Sequence, residues 1–276
     1  MTSWDLAAIA AVLIIGVPHG GLDGAVARRI GWSKGLVPWL GFHLSYIALA
    51  ALVVWLWLQW PVPGLAVFLL ISALHFGRSD IAYTQSLIAS NSAQQWLPLI
   101  AHGGLVSIAI PSLQSAAVQP VFTILVGDEG AALLIKAIGM LFLPWLLSLA
   151  GYAIYAIMHP LWRRPLLSLI SLVILALVLP PLISFALYFC LWHSRSHTLL
   201  IWQSLEENTE RRRSFIEATV YSLMAWTAAL GFFMVFQGSL SSALIQLTFI
   251  GLAALTVPHM LLVDIADKLK QQRLLP

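Results

Sequence analysis

The chain has 276 residues, of which 60% are hydrophobic and only 9% charged, with a formal net charge of +3. A soluble domain carries about 25% charged residues, so an ordinary soluble fold is excluded. The charge is too small to point to nucleic acid, and the single cysteine, Cys190, excludes both an intrachain disulfide and a cysteine metal cluster.

Long apolar runs with little strand alternation argue for helices rather than a β-barrel. The expected fold is all-α: a polytopic integral membrane helical bundle of about eight to nine transmembrane helices, one domain over residues 1–276. Nine apolar spans are readable, over Trp4–Ala27, Leu36–Trp60, Val62–Tyr83, Trp96–Ile110, Ala131–Met158, Pro165–Leu179, Leu182–Leu205, Phe215–Gln237 and Leu240–Ala266. The fourth and sixth are short for a bilayer that needs about 20 residues. Val118–Val126 is a further apolar piece, too short to span and expected at the interface. The N-terminus lacks a basic n-region, so the first span is expected to be retained.

Loop charge orients these spans. Arg28, Arg29 and Lys34 follow span one, Arg163 and Arg164 span five, Arg211 to Arg213 span seven, and Lys268, Lys270 and Arg273 span nine. The loops after spans two, six and eight carry no charge, and the loop after span four only Asp128 and Glu129. This alternation predicts a multi-pass protein of the cell (cytoplasmic, inner) membrane, N-terminus outside and C-terminus cytoplasmic. Trp55, Trp57 and Trp60 fit an outer aromatic belt, and Trp32 and Trp39 an inner one.

Span seven contains Trp192-His193-Ser194-Arg195-Ser196-His197. Histidines four apart share a helix face, so both imidazoles can address one ion. Ionisable groups inside a membrane mark function by default. Span one holds Pro18-His19-Gly20-Gly21-Leu22-Asp23, span three ends in His75-Phe76-Gly77-Arg78-Ser79-Asp80, and span nine holds Pro258-His259 with Asp264 five residues on. Chance gives roughly a third of one such His–Asp spacing in this composition. The aspartates Asp23, Asp80 and Asp264 suit the support of a metal-bound imidazole, directly or on a neighbouring ligand. For Asp264, capping at the cytoplasmic face is an equal alternative. Arg195 needs an anion or a carbonyl, with Asp23 or Asp80 as possible partners.

His19, His197 and His259 each precede a charged residue by nine positions, namely Arg28, Glu206 and Lys268. Nine residues of helix are about 13 Å, which places all three near mid-bilayer. His75 reaches a similar layer if its span extends past Tyr83. His43 and His159 read as interfacial. His102, in Ala101-His102-Gly103-Gly104, lines a pocket or packs on a carbonyl and is not assigned as a ligand. Imidazoles suit iron, zinc, copper or nickel, and softness alone does not choose. These residues imply a buried poly-His metal site acting on a lipophilic substrate.

The segments Pro18–Asp23, His75-Phe76-Gly77 and Trp192–His197 resemble the bacterio-opsin-related-protein family, microbial membrane β-carotene 15,15′-dioxygenases that make retinal for rhodopsins. The resemblance covers nearly the whole chain, to Pro258-His259-Met260. It implies a catalytic domain in which iron(II), Fe(2+), and dioxygen split β-carotene into two retinals, with a functional link to a microbial rhodopsin. It implies His19, His75, His193 and His197 as the iron ligands, with His259 matching a further family histidine. Phe76, Tyr188, Phe189 and Trp192 are then candidate walls of a substrate tunnel, against ordinary helix packing. Two other classes stand beside this reading. A membrane di-iron lipid or carotenoid desaturase or hydroxylase needs more clustered histidine boxes than the His193/His197 pair. A metal or proton transporter needs ionisable groups along a path rather than in one layer.

Overall fold

The structure is a computed structural model that describes residues 2–32, 35–86, 95–205 and 207–273. The side chains of His19, Ser86 and residues 267–273 lie outside that description, as do Lys34 and Glu206. Every regular element among the described residues is helical. Among the described residues, eight stretches are long and apolar enough to cross a membrane. They correspond to eight of the nine expected spans. The remaining one, expected over Leu182–Leu205, is helical as well, but His193, Arg195 and His197 make it more polar than the others.

The chain divides into two compact units, Met1–Ala8 with Pro61–Phe189 and Ile9–Trp60 with Cys190–Pro276. α1 (Ser3–Ala11) begins in the first unit, and the second unit contains its end and the path from there into α2 (Asp23–Arg29), through a π-turn Val12–Gly16 and a 3-10 turn Val17–Leu22. Pro18 has no N–H to donate, and Gly20 and Gly21 hold a helix weakly, so the regular ladder lapses here. The same unit contains α3 (Leu36–Gln59), α10 (Arg195–Gln203), α11 (Asn208–Val235) and α12 (Leu240–Arg273). α12 packs on α2 and α3, and α11 on the turn that carries His19. That last contact is close: a Cβ on Gly21 would stand 2.7 Å from the Ala218 Cα.

The first unit contains α4 (Pro61–Ser86), α5 (Trp96–Gly104), α6 (Ile110–Leu113), α7 (Ser115–Met158), α8 (Arg163–Val178) and α9 (Pro181–Ala186). Pro61 starts α4 where proline is tolerated, at the first helical position. α4 lies against α5 through glycine: a Cβ on Gly103 would run into the Ala73 carbonyl, and one on Gly77 into that of Leu99. Small residues at such crossings let membrane helices approach backbone to backbone. A π-helix, Leu187–Ser194, leads from α9 to α10.

Val118–Val126 lies in the part of α7 before Gly127 (φ 77°, ψ 169°), where two helices meet at a kink and glycine alone adopts the angle freely. One expectation is corrected. Trp57 is not in an aromatic belt: it is 2% exposed, whereas Trp55 and Trp60 are 52% and 54% exposed. Two residues turn a helix by about 200°, so Trp57 faces away from Trp55 and into the protein.

Polarity is distributed as in a membrane protein. Large apolar side chains such as Leu44, Leu133, Met140 and Met234 are exposed, while Asp23, His75, His102, His193 and His259 are buried. In hydrocarbon the polar groups must find partners inside the protein.

Candidate functional site

In the second unit, His259 and Asp23 form a buried pair. The His259 Nδ1 lies 2.7 Å from Asp23 Oδ1, and both side chains are 4% exposed. The Tyr46 hydroxyl donates to the other carboxylate oxygen at 2.9 Å, with the Leu255 carbonyl at 3.2 Å. Asp23 opens α2 directly after the 3-10 turn, Tyr46 lies in α3, and His259 follows the internal Pro258 of α12. Three helices thus meet on one carboxylate. A carboxylate at an imidazole Nδ1 fixes the ring's orientation and leaves Nε2 as the nitrogen for a ligand.

The His197 ring stands beside that of His259, with centroids 5.0 Å apart and planes at 77°. His193 is 1% exposed and lies in the last turn of the π-helix, and His197 lies one helical turn on, in α10. π-turns occur frequently at functional sites, because they re-aim side chains without ending the helix. The backbone of His19 belongs to the 3-10 turn directly before Asp23.

The first unit repeats the theme. The Tyr188 hydroxyl donates to Asp80 Oδ2 at 2.9 Å. His102 Nδ1 stands 3.4 Å from the same oxygen. His75 is buried, with its ring 5.8 Å from that of Phe76. Phe76 meets Tyr188 edge-on at 5.2 Å, and Phe189 stacks on Phe185 at 5.4 Å. Phe76, Tyr188 and Phe189 therefore form one buried aromatic cluster, and Tyr188 also has a polar partner. Trp192, in the second unit, is half-buried.

Among the described residues, no three His, Cys, Asp or Glu side chains gather at a point that could hold one ion. Arg195 is exposed; of its two possible partners, Asp23 has both oxygens engaged by His259 and Tyr46, and Asp80 accepts from Tyr188. Asp264 is half-buried, and the carboxylate on His259 is Asp23 rather than this aspartate from its own helix. His43 is half-buried and meets the Tyr221 hydroxyl at 2.9 Å, and His159 is exposed.

Tyr46 carries a role that the sequence reading did not find. The signal was present, because a phenol inside an apolar span needs a hydrogen-bond partner. A cluster of ions was missed as well. Arg28 meets Glu217 at 2.6 Å, Glu210 at 3.1 Å and the Ser214 hydroxyl at 3.0 Å, and Arg213 meets Glu217 at 3.0 Å. It ties α2 to α11, just beyond Asp23. A cavity of about 80 Å³ adjoins this cluster, lined by Arg28, Trp39, His43 and Glu217 among others.

Comparison with known proteins gives a consistent answer. The family model described as beta-carotene 15,15'-dioxygenase matches residues 10–267. The beta-carotene 15,15'-dioxygenase of uncultured marine bacterium 66A03 is 35% identical over 263 residues, covering 94% of this chain and 93% of that protein. The probable beta-carotene 15,15'-dioxygenase Blh of Halobacterium salinarum is 24% identical over 204 residues, covering 68% of this chain and 59% of that protein. No solved structure matches the chain. With a family model spanning nearly its whole length and a relative matching it end to end, the chain belongs to the beta-carotene 15,15'-dioxygenase family.

Proposed function

We propose that this protein cleaves β-carotene at its central 15,15′ double bond with dioxygen, giving two molecules of all-trans-retinal. Both oxygen atoms enter the products, one in each aldehyde, so the balance needs no added reductant or proton. The proposed cofactor is iron(II), held by His19, His75, His193 and His197, with His259 as a further candidate. The whole chain acts as one catalytic domain of the cytoplasmic membrane, with its N-terminus outside, its C-terminus inside, and its product available to a microbial rhodopsin.

The observation that carries this reading, beside family membership, is the Asp23–His259 pair and the ring next to it. Imidazoles bound to one ion at about 2.1 Å per nitrogen have ring centres roughly 4.5–5.3 Å apart. The 5.0 Å between His197 and His259 lies in that range. Neutral imidazoles, one of them oriented by a buried carboxylate, are a donor set that suits iron(II). Bound iron(II) supplies the activation of dioxygen.

The protein's own residues do the rest. Asp23 holds the proton on His259 Nδ1, so Nε2 keeps its lone pair. Tyr46 keeps Asp23 in place. Burial of His193 and His259 keeps bulk water from the site, which protects reactive oxygen chemistry from side reactions. Phe76, Tyr188 and Phe189 offer an apolar wall for a polyene, and Trp192 is a further candidate.

The test is expression in a β-carotene-accumulating bacterium, with chromatography of the extract. Retinal as the sole aldehyde, with loss of yellow colour, is the expected result. Long-chain apocarotenals without retinal would refute central cleavage. Unchanged β-carotene beside a hydroxylated or desaturated lipid would point to the di-iron class instead.

A further inference from the structure

The cavity beside α2 and α11 lies wholly within the second unit. Its volume of about 80 Å³ leaves room for several waters, or for one group the size of a phosphate. Arg28, Trp32, Trp39, His43, Arg213 and Glu217 are among its walls.

Donors outnumber acceptors here. Glu217 is the one carboxylate in the walls, and both of its oxygens are occupied: Oε2 by Arg28 Nη1 at 2.6 Å, and Oε1 by Arg213 Nε at 3.0 Å. Arg28 gives one N–H from each nitrogen, to Glu210, Glu217 and Ser214. A guanidinium has five N–H donors, so Arg28 keeps two. Arg213 donates only from Nε among the described residues, so it keeps four. The Trp39 ring lies 4.4 Å from that of His43, and its indole N–H makes no hydrogen bond among the described residues. Spare N–H groups around a carboxylate already filled call for an oxyanion, and the guanidinium fork suits phosphate.

The flanking residues say what carries that phosphate. Leu36 and Val37, which open α3, are exposed, and so are Phe215 and Ile216, which follow Arg213 on α11. Both helices therefore show apolar side chains outward within a turn of the cavity. Trp32 and Trp39 are partly exposed, as indoles at the headgroup level of a membrane are. Exposed Arg29 and Arg212 add positive charge nearby, which favours anionic lipids. We propose that this cavity binds the phosphodiester of an anionic membrane phospholipid. Arg213 and Arg28 donate to the phosphate oxygens, and the acyl chains run along the exposed apolar faces of α3 and α11.

The test uses the full-length protein in a non-ionic detergent. Three probes are titrated separately: dioctanoyl phosphatidylglycerol, dioctanoylglycerol, which lacks the phosphate, and inorganic phosphate. Native mass spectrometry counts bound lipid, and the shift in thermal unfolding gives affinity. Phosphatidylglycerol should saturate a single site and raise the unfolding temperature. The other two probes should do neither at the same concentration. Arg213→Gln keeps the Arg28–Glu217 pair and should weaken lipid binding by about ten-fold. Arg213→Lys should lose less, since it keeps the charge without the fork. Arg212→Gln removes an equal charge outside the cavity walls and should bind like the wild type. Wild-type affinity in Arg213→Gln, or an equal loss in Arg212→Gln, would overturn the proposal. Equal binding of inorganic phosphate would make this a site for a free oxyanion and overturn the lipid assignment. Equal binding of dioctanoylglycerol would overturn the role of the phosphate.

Discussion

His259 and Asp23 are separated by 236 positions in sequence and by 2.7 Å in space. The contact joins α12 to the start of α2 inside the membrane-spanning part of the chain. A carboxylate buried there needs strong donors, and Asp23 has two, the His259 imidazole and the Tyr46 phenol. The contact also fixes which nitrogen of His259 faces outward from the pair.

Removing the charge from this pair should weaken the metal site without emptying it. Asp23→Asn keeps the shape but loses the anion, and Tyr46→Phe loses only the hydrogen bond that steadies it. Substitutions behind a ligand typically cost about ten- to a hundred-fold in metal affinity. Asp23→Asn is expected in that range and Tyr46→Phe at its lower edge, measured by iron titration of the stripped protein. Equal affinity for wild type and Asp23→Asn would show that the pair does not serve a ligand.

Glycine at the α4–α5 crossing should be irreplaceable for steric reasons. Gly103→Ala and Gly77→Ala would each force a methyl group into a backbone carbonyl. Overpacking of this kind costs about 1–3 kcal/mol. Thermal unfolding in detergent should show the loss, with iron binding reduced as α4 and α5 shift. Gly139→Ala, where nothing lies within 4 Å, is the matched control and should be neutral or slightly stabilising.

The ion cluster at the end of α2 gives a graded prediction. Arg28 and Glu217 side chains are each 13% exposed, whereas that of Arg213 is 48% exposed. Arg28→Ala takes away the buried partner of Glu217, leaving that largely buried carboxylate only the more exposed Arg213, and should cost about 3 kcal/mol. Arg213→Ala removes a solvated pair and should cost below about 1 kcal/mol. Denaturant or thermal unfolding of the two variants side by side measures the difference. A larger loss in Arg213→Ala would contradict the burial argument.

The most polar helical stretch decides the number of crossings. Reporter fusions after Arg29, Arg164, Arg213 and at the C-terminus should report cytoplasmic, and fusions near Trp60, Asp128, Pro180 and Gly238 external. If Pro180 and Arg213 report the same side, the stretch carrying His193 and His197 does not cross.

Much of this was legible in the sequence. The helical spans follow from apolar run length, and the broken backbone at His19 from Pro18 and two glycines. The His–Asp spacing singled out Asp23 and Asp80, and the structure sets Asp23 on His259 and Asp80 3.4 Å from His102, but which histidine each faces was not readable. A helix places Asp80 near its own His75 in sequence, while packing brings it to His102 of the next helix. Asp23 likewise meets His259, from the far end of the chain. Such exchanges depend on helix crossings, and those are set by close contacts such as Gly103 on Ala73. Trp57 shows the same limit, since composition identifies an apolar segment but not the face it buries.

The central claim is iron-dependent central cleavage, and a single-turnover measurement with purified protein tests it most directly. Stripped protein, reloaded with about one iron(II) per chain as a single site requires, is mixed with β-carotene in detergent and then with oxygenated buffer. The account predicts two retinals formed for each β-carotene consumed, no turnover in the stripped protein, and none in the His193→Ala variant. Retinal formation that is indifferent to iron, or one retinal accompanied by a longer apocarotenal, would contradict it.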